Sequence, residues 1–296
     1  HLQILDIHVT FNFFNPKVGL NWDINSRHRV YASLAVAHKE PTRNNYTDGP
    51  LNEHPRAERL TDWEAGYRFQ ISKFNAGINF YRMNYKDQLV LNGKLNEIGE
   101  MMAENVPESY RMGAEISAGW QIVPMLRWDI NATFSRNRIN NYVGYLSDYV
   151  EESWDELYSQ TAIEKKHTTI AFSPSVTAGS VITLAIKGFE ARLQTQFVSR
   201  QYLDNFQSKE DSLDPYCVSN LHLAYSFKLP KIGVKELTTA LGIYNIFNEK
   251  YENNGYSQTA ALYPNGNKGD SVTISHDPRF YPMANTNLLA TVTLKF

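Results

Sequence analysis

The chain of 296 residues lacks long hydrophobic runs, a cysteine pair and a large excess of charge of either sign. Although 42% of its residues are hydrophobic, no run reaches the roughly 18 apolar residues of a membrane-spanning helix, which excludes a helical membrane protein. The single cysteine, Cys217, excludes an intrachain disulfide. A net charge of -2 provides no basic surface, so we expect no nucleic-acid partner. A membrane β-barrel is not excluded, because its apolar residues alternate with polar ones.

Catalytic motifs are also missing. The sequence contains no His-Glu-x-x-His, no Gly-x-Ser-x-Gly and no glycine-rich phosphate loop, and its eight histidines show no metal-ligand spacing. We therefore predict that the protein is not an enzyme and that it carries no cofactor and no catalytic metal. The enzyme alternative is a hydrolase embedded in a barrel, for which His222 is the one histidine candidate in the body of a predicted strand.

Alternation of apolar and polar residues, which is the signature of β-strands, is abundant. In the last twelve residues, Asn285 to Phe296, the apolar side chains share one phase of the pattern. The phase flips at Lys187-Gly188, which predicts a tight turn between two strands there. The pattern predicts eleven strands, at about residues 16–25, 28–38, 62–71, 74–90, 110–122, 125–135, 172–186, 189–201, 215–228, 236–247 and 285–296.

The connections between these strands alternate in length. Short ones are predicted at 25–27, 72–73, 123–124, 187–188 and 229–235, and long polar ones at 39–61, 91–109, 138–170, 202–214 and 248–284. This alternation is typical of outer-membrane barrels, which have short periplasmic turns and long extracellular loops. We therefore predict an all-β fold: an antiparallel up-and-down transmembrane β-barrel, here incomplete and of about 11 strands.

Aromatic residues of the apolar phase concentrate at both ends of the predicted strands. Ten residue steps separate Tyr110 from Trp120, which at the usual strand rise and tilt is roughly 25 Å, the height of the apolar band of such barrels. The pattern favours lipid around the apolar face. The opposite phase carries charges of both signs, which suit a hydrated lumen or contact with a polar plug.

The acidic segment 148–160 lies within the predicted loop 138–170. We interpret it as a short helix with a solvated acidic face. A calcium site is the alternative, but the carboxylates lack the regular spacing and the turn glycine of calcium-binding loops.

Several motifs match a known family. They include Glu58-Arg-Leu-Thr-Asp-Trp-Glu64-Ala-Gly66-Tyr67, Arg200-Gln-Tyr-Leu-Asp-Asn205, Gly242-Ile-Tyr-Asn-Ile-Phe-Asn-Glu-Lys-Tyr251 and the terminal Thr-Leu-Lys-Phe296. Over its whole length the chain resembles the C-terminal half of the barrel of TonB-dependent outer-membrane receptors, especially those of Bacteroidota-type bacteria. The resemblance implies a barrel of about 22 strands filled by an N-terminal plug. Residues 1–296 are then expected to be a C-terminal part of the barrel domain, without plug or first strands, that would not insert into a bilayer alone.

The resemblance implies active uptake of a scarce, bulky nutrient across the outer membrane of a Gram-negative cell. That nutrient is a ferric siderophore, a cobalamin-like or haem-like compound, or an oligosaccharide. The implied partners are outer-membrane lipid, the TonB complex acting through an N-terminal region, and the barrel-assembly machinery. The resemblance also implies that the terminal strand is the assembly signal, formed by Ala290, Val292, Leu294 and Phe296. A passive porin or ligand-binding barrel without a plug is the alternative.

Ligand-binding residues are expected in the long loops, because loops on a rigid scaffold carry specificity. Amide, aromatic and cationic side chains in two of these loops are suited to a polar ligand. The candidates are Arg43, Asn44, Asn45, Tyr46 and His54 in loop 39–61, and Tyr256, Tyr263, His276, Arg279 and Tyr281 in loop 248–284. Haem is disfavoured, because Pro41 and His54 match only part of the motif seen in haem receptors of the family.

Overall fold

The computed structural model describes residues 7–47, 54–96, 98–229 and 233–296, and these residues fold almost entirely as β-strands. One short helix, α1 (Arg43–Thr47), lies between β2 and β3. The strands are β1 (Lys17–Asn25), β2 (His28–Lys39), β3 (Glu58–Gln70), β4 (Phe74–Leu95), β5 (Met101–Val123), β6 (Leu126–Val150), β7 (Glu156–Thr169), β8 (Val176–Ile186), β9 (Phe189–Val198), β10 (Gln201–Tyr202), β11 (Ser212–Leu213), β12 (Tyr216–Leu229), β13 (Val234–Tyr244), β14 (Glu252–Ser257), β15 (Ala260–Tyr263), β16 (Thr273–Ser275), β17 (Pro278–Pro282) and β18 (Asn287–Lys295).

Eleven of these strands form a single curved wall. They pair in the order β1-β2-β3-β4-β5-β6-β8-β9-β12-β13-β18. All the pairs in this wall are antiparallel, and each strand pairs with the wall strand that follows it in the chain. This is an up-and-down meander, so the predicted fold class and strand number are confirmed. The predicted turn at Lys187-Gly188 is also confirmed, between β8 and β9.

The remaining strands belong to the long connections. β7 forms a hairpin with β6, and β15 pairs in parallel with β6 and antiparallel with β16. β10 pairs with β11, and β14 pairs with β17, in two small separate sheets. Of the described residues, no helix is long and apolar enough to cross a membrane.

Two predicted loops are wrong. Segments 91–109 and 138–170 are largely strand, because β4, β5 and β6 continue to lengths of 22, 23 and 25 residues and β7 pairs with the end of β6. A tilted strand needs only about 9–11 residues to cross a bilayer, so these three extend well past an apolar band. Their extensions have no continuous apolar face, which removes the alternation that reveals a strand in sequence. Part of loop 39–61 and of turn 229–235 lies outside the described residues.

The predicted helix in segment 148–160 is also wrong. This segment contains the end of β6, a turn at 151–155 and the start of β7. Asp148 and Tyr149 pair with β15 on one side, and Tyr149 pairs with Glu156 of β7 on the other. Backbone groups that are paired on both sides in a sheet cannot also form the hydrogen bonds of a helix.

The two faces of the wall differ in polarity. One face, here called the apolar face, exposes large side chains such as Trp63 (53%), Phe80 (55%) and Val292 (67%). The other, called the polar face, carries the alternate residues, including Glu64, Arg68 and most of the charges of the wall. No second layer of the described chain covers the apolar face, so its side chains are unburied by this chain.

The wall is open at both edges. Among the described residues, no pairing joins β1 to β18, and every residue of both strands is exposed. β18 pairs with β13 from Asn287 to Lys295, which confirms the predicted terminal strand. The open sheet agrees with the prediction of a partial barrel.

Glycines on the polar face make room for tyrosine rings. A Cβ atom added to Gly66 would lie 2.3 Å from Tyr31 Cζ, so this ring lies directly over the glycine. At Gly113 the added atom would lie 2.3 Å from the Phe134 carbonyl oxygen and 2.7 Å from Tyr81 Oη. Neither glycine can be replaced without displacing what lies above it.

Gly113→Ala is therefore expected to destabilise the wall by about 1–3 kcal/mol, because the new methyl group overlaps backbone as well as a ring. Gly19→Ala is the matched control on β1, since its added Cβ meets nothing closer than 3.6 Å. The midpoint of denaturant unfolding of the full-length protein in detergent measures both changes. Equal shifts for the two variants would contradict the overlap.

Candidate ligand-binding site

The polar face holds a cleft near the middle of β2–β6. Tyr31 Oη donates to Asn79 Oδ1 at 3.1 Å, and Asn79 Nδ2 donates to Glu115 Oε2 at 3.3 Å. The Arg68 guanidinium lies 5.4 Å from the centre of the Tyr31 ring. The cleft has a volume of about 460 Å³ and is lined by hydroxyl, amide and charged groups, among them Glu64. It offers both donors and acceptors to a polar occupant of the concave side.

Three arginine–carboxylate pairs lie on the polar face close to the short turns. They are Arg29 with Asp23 at 2.5 Å, Arg127 with Asp129 at 2.5 Å and Arg192 with Glu190 at 3.1 Å. All of these side chains are at least 40% exposed, so the pairs contribute little to stability by themselves. Each pair joins one positive to one negative group, so this rim of the polar face is rich in charged groups but has little net charge.

The opposite edge of the wall, where the long connections lie, contains the main buried core of the described residues. Its apolar side chains come from the extensions of β4, β5 and β6, from the segment after β7, and from two later connections. They are Val90, Val106, Ile139, Tyr142, Leu146, Ile170, Phe206, Ala261 and Tyr263. Loops that share a core hold a defined arrangement, which a binding surface requires.

Asn205 connects three of these segments and is completely buried. Its Oδ1 accepts from the Ala171 amide at 2.9 Å, and its Nδ2 donates to the Leu91 carbonyl at 2.7 Å. Its own carbonyl accepts from Thr168 Oγ1 at 2.6 Å. Next to it, the side-chain oxygen of Gln207 accepts from Arg138 Nη1 at 2.9 Å. The loop after β9 is thereby joined to β4, to β6, to the end of β7 and to the start of the β7–β8 connection.

Asp211 connects the same loop to the last long connection. Its buried carboxylate accepts from Ser257 Oγ at 2.5 Å and from Thr259 Oγ1 at 3.2 Å, and it also bonds to His276 Nδ1. His276 Nε2 lies 3.3 Å from Glu210 Oε2 on the other side of the ring. Within the described part of the chain, no three histidine, cysteine or carboxylate side chains are placed to hold a metal ion. The group is a hydrogen-bonded junction.

Asp148 forms a third junction at the end of β6. It is fully buried and accepts from Ser159 Oγ at 2.7 Å, Thr161 Oγ1 at 2.6 Å and Lys268 Nζ at 2.5 Å. Burial alone would raise the pKa of this carboxyl. The hydrogen bonds from Lys268, Thr161 and Ser159 and the charge of Lys268 outweigh it and hold the pKa below its usual value.

The first predicted group of ligand residues lies on and after α1. Asn44 Nδ2 donates to Glu100 Oε2 at 2.7 Å, and Asn45 Oδ1 accepts from Thr42, so both amides are engaged. The Tyr46 and His54 rings are 6.3 Å apart. Arg43 is exposed and so is His54. Tyr46 and His54 are thus brought together, and Arg43 lies three residues before Tyr46 on α1.

The second predicted group is divided. Tyr256 and Arg279 face each other across the β14–β17 ladder, and the Tyr256 and Tyr281 rings are 6.3 Å apart, so these three form one surface cluster. Arg279 also pairs with Asp277 at 2.8 Å. His276 is held by Asp211 and Glu210.

Tyr263, the remaining member of the second group, is only 7% exposed and bonds to Thr161 Oγ1. Within the described residues, no hydrogen bond, ion pair or ring contact joins the first group to the second.

The sequence reading missed Asp148, Asp204, Asn205 and Asp211, which fix the shape of this edge. An Asp-Asn pair inside a polar loop gives no signal of burial, because the partners of these side chains lie up to 114 residues away. His222, the enzyme candidate, lies on the polar face of β12, opposite Arg192. Its ring packs edge-on against Tyr244, with ring centres 5.4 Å apart.

Asn205→Ala is expected to loosen this edge. The change leaves the Ala171 amide and the Leu91 carbonyl buried without partners, at a cost of about 2–4 kcal/mol. Hydrogen exchange at residues 168–172 is predicted to accelerate in the full-length protein. The control, Asn253→Ala, removes an exposed amide that bonds to no described residue, and unchanged exchange is expected. Identical exchange in the two variants would refute the role given to Asn205.

Asp204 should make the stability of this edge depend on pH. It is 2% exposed, and burial, followed by repulsion from Asp211, raises its pKa to about 7, far above the value of about 3.9 in an unfolded chain. The loop after β9 therefore binds a proton at Asp204 more tightly when it is folded than when it is unfolded. The resulting stabilisation is complete below pH 4 and disappears as pH rises through about 7.

Asp204→Asn keeps an acceptor for the Phe206 amide, which is 2.9 Å from Oδ1, but does not titrate. Protease protection of the loop is expected to fall between pH 5 and pH 8 in the wild type, and to fall less in the variant. The two proteins differ at this one side chain, so the difference between the two curves isolates Asp204. Parallel curves would show that this carboxyl is not the source.

Known proteins agree with this architecture. Residues 5–246 match the family model described as TonB dependent receptor-like, beta-barrel. No curated protein sequence matches the chain significantly. Similar solved structures include the ferric yersiniabactin uptake receptor FyuA from Yersinia pestis (18% identity, TM-score 0.61), the copper transporter OprC (17%, 0.65) and the ferric-catecholate import receptor Fiu from K12 E. coli (15%, 0.61).

Each of these three likenesses covers 95% of the chain, which spans 37%, 39% and 34% of the respective structures. At such identities the structures show a shared fold only. The family model, in contrast, covers most of the sequence. It includes every strand of the wall from β1 to β13 and leaves out only β18. The chain therefore belongs to the family of TonB-dependent receptor-like β-barrels.

Proposed function

We propose that the protein is an outer-membrane receptor of a Gram-negative cell that binds a scarce, bulky nutrient with its extracellular loops and imports it with energy from the TonB complex. One feature supports this proposal above all: the wall has a polar face, and its long connections share a buried core and three hydrogen-bonded junctions. A passive porin needs the polar face but has no need of loops held in one arrangement. The fixed loops therefore favour a receptor over the passive alternative.

A metal chelate is the favoured substrate class. The similar structures are an uptake receptor for ferric yersiniabactin, an import receptor for ferric catecholates and a copper transporter. The surface cluster of Tyr256, Arg279 and Tyr281 offers aromatic faces and a guanidinium, which suit an aromatic, anionic chelate. Tyr46 and His54 offer a second aromatic contact on another loop.

The proposed partners follow from this function. Lipid surrounds the apolar face, and the TonB complex delivers energy through a region outside this chain. The barrel-assembly machinery reads the terminal strand, where Val292, Leu294 and Phe296 stand exposed on one face. In this proposal residues 1–296 form a C-terminal part of the barrel domain.

Growth of a deletion strain tests the import. Ferric siderophores, haem, cobalamin and oligosaccharides are supplied one at a time as the sole source of the limiting nutrient, with and without a functional TonB complex. We expect loss of growth on one ferric chelate, restored by the full-length gene only when TonB is active. Restoration without TonB would support the passive barrel instead, and a defect on oligosaccharide alone would overturn the substrate class.

Arg279→Ala combined with Tyr281→Ala is expected to weaken binding of that chelate about tenfold or more, because a charged and an aromatic contact are lost together. Lys165→Ala on β7 is the control, as it removes an exposed cation from another extracellular hairpin. Quenching of intrinsic fluorescence by the chelate measures the affinity of the purified proteins. Equal affinity in all three would exclude the cluster from the binding site.

A further inference from the structure

The upper end of the apolar face changes abruptly from aromatic to cationic on β3–β6. Directly paired residues of these strands form rows across the wall, and successive rows step toward the long-loop edge. In order, the rows are Ala65, Phe80, Ala114 and Phe134; then Trp63, Arg82, Met112 and Arg136; then Thr61, Asn84, Tyr110 and Arg138; then Arg59, Lys86 and Glu108.

Arg59, Arg82, Lys86 and Arg136, here called the cationic patch, are all exposed. No ion pair to any described residue neutralises them. Glu108 is the one carboxylate in these rows, and it accepts from Asn140 Nδ2 at 3.3 Å. Arg138 adds a fifth charge whose partners are neutral, namely the His167 carbonyl, Thr169 Oγ1 and Gln207 Oε1.

Glu108 is directly opposite Lys86 and offsets one of these charges, which leaves the others without a counter-charge among the described residues. Arg59 and Lys86 are directly opposite each other on neighbouring strands, where like charges repel. Arg82 and Arg136 are separated by one strand, or about 10 Å. A cavity of about 470 Å³ is lined by Arg59, Arg82 and Lys86, by the carboxylate of Glu108 and by uncharged polar groups. Its volume is in the range of small-ligand sites.

The height of the patch identifies the anion. Arg82 is paired with Trp63 and lies two residues beyond Phe80, so the patch begins at the level of the aromatic residues that mark the edge of the hydrocarbon. From the second row to the fourth, the strands rise about 10 Å along the membrane normal. That interval corresponds to lipid headgroups.

The patch is local. Residues 176–181, 194–198, 216–222, 239–244 and 287–291, which are the corresponding ends of the other wall strands after β6, contain neither lysine nor arginine. Arg200, just beyond β9, is paired with Asp214 at 2.6 Å. A general preference for cations at the membrane surface would not leave five strands without any.

We propose that the cationic patch binds the phosphate groups of an anionic glycolipid of the outer leaflet. The guanidinium groups take the phosphates, since arginine matches phosphate geometry with two parallel hydrogen bonds. Tyr110, whose ring lies 5.8 Å from the Arg82 guanidinium, borders the site. The acyl chains lie below, along the exposed Trp63, Phe80 and Phe134. The proposal rests on the outer-membrane placement above, and not on the import of any substrate.

Lipid binding by the delipidated full-length protein tests this, with native mass spectrometry as the readout. The probes are diphosphoryl lipid A and the same lipid after removal of both phosphates. The wild type is expected to bind the phosphorylated probe at least about tenfold more tightly than the other, and this preference is expected to fall as NaCl rises from about 50 to about 500 mM. Equal affinity for the two probes would overturn the proposal.

Arg82→Gln/Arg136→Gln is expected to lose about tenfold or more in affinity for diphosphoryl lipid A. Arg82→Lys/Arg136→Lys keeps the charge but loses the paired donors of the guanidinium, so its affinity should lie between those of the wild type and the glutamine variant. The control Arg27→Gln/Lys73→Gln removes two exposed cations at the short turns and should bind as the wild type does. Heat-dependent electrophoretic mobility verifies that each variant is folded.

Unchanged lipid affinity in the glutamine variant would overturn the assignment. The assignment would also be wrong if that variant kept its lipid affinity but lost a protein that co-purifies with the wild type. Growth on the imported nutrient is a separate readout. A variant that loses lipid A binding but supports TonB-dependent growth supports the inference independently of the substrate, while a growth defect with normal lipid affinity counts against it.

Discussion

The structure depends on one constraint: a single layer of strands must face two different surroundings while its backbone groups bond only to neighbouring strands. With one layer, there is no core to decide which side chains are inside. Period-two alternation does this instead, placing Trp63 and Phe80 on one face and Glu64 and Arg68 on the other. Each strand needs its neighbour in register, and a slip of one residue would exchange the faces. An antiparallel meander with short turns meets this requirement with few long-range connections.

Beyond the apolar band the constraint is relaxed, and different interactions take over. The extensions of β4, β5 and β6 bury scattered apolar residues in the core of the loop edge but have no continuous apolar face, so apolar alternation alone no longer holds them in position. Buried polar side chains do so, because an unmatched donor or acceptor in a buried site is costly. Asn205 and Asp148 each bond to groups from two other segments, and Asp211 joins its own loop to the last long connection. A loop edge built in this way is specified by a few carboxylates and amides.

The same division explains what the sequence predicts and what it conceals. The wall strands, the turn at Lys187-Gly188 and the terminal strand follow from alternation, which is a local property. The segments 91–109 and 138–170 give no strand signal in the sequence, because their apolar residues are too scattered to follow a regular alternation. The junctions were missed, since Asp211 and His276 are 65 residues apart and neither has a local pattern. Among the ligand candidates, local composition grouped Tyr263 with Tyr256, yet one is buried in the core and the other is at the surface.

The cationic patch and part of the buried core of the loop edge share β4, β5 and β6. β4, β5 and β6 rise furthest above the wall, and they carry the patch at the base of that rise and the buried core higher up. Arg138 links the two, since it is paired with Tyr110 in the patch rows and donates to Gln207 of the loop that contains Asn205. A headgroup bound across β3–β6 would stabilise these strands at the point where their extensions begin. The position of the charges therefore suits phosphate binding, and it also allows the bound lipid to stabilise the strands that carry the loop core.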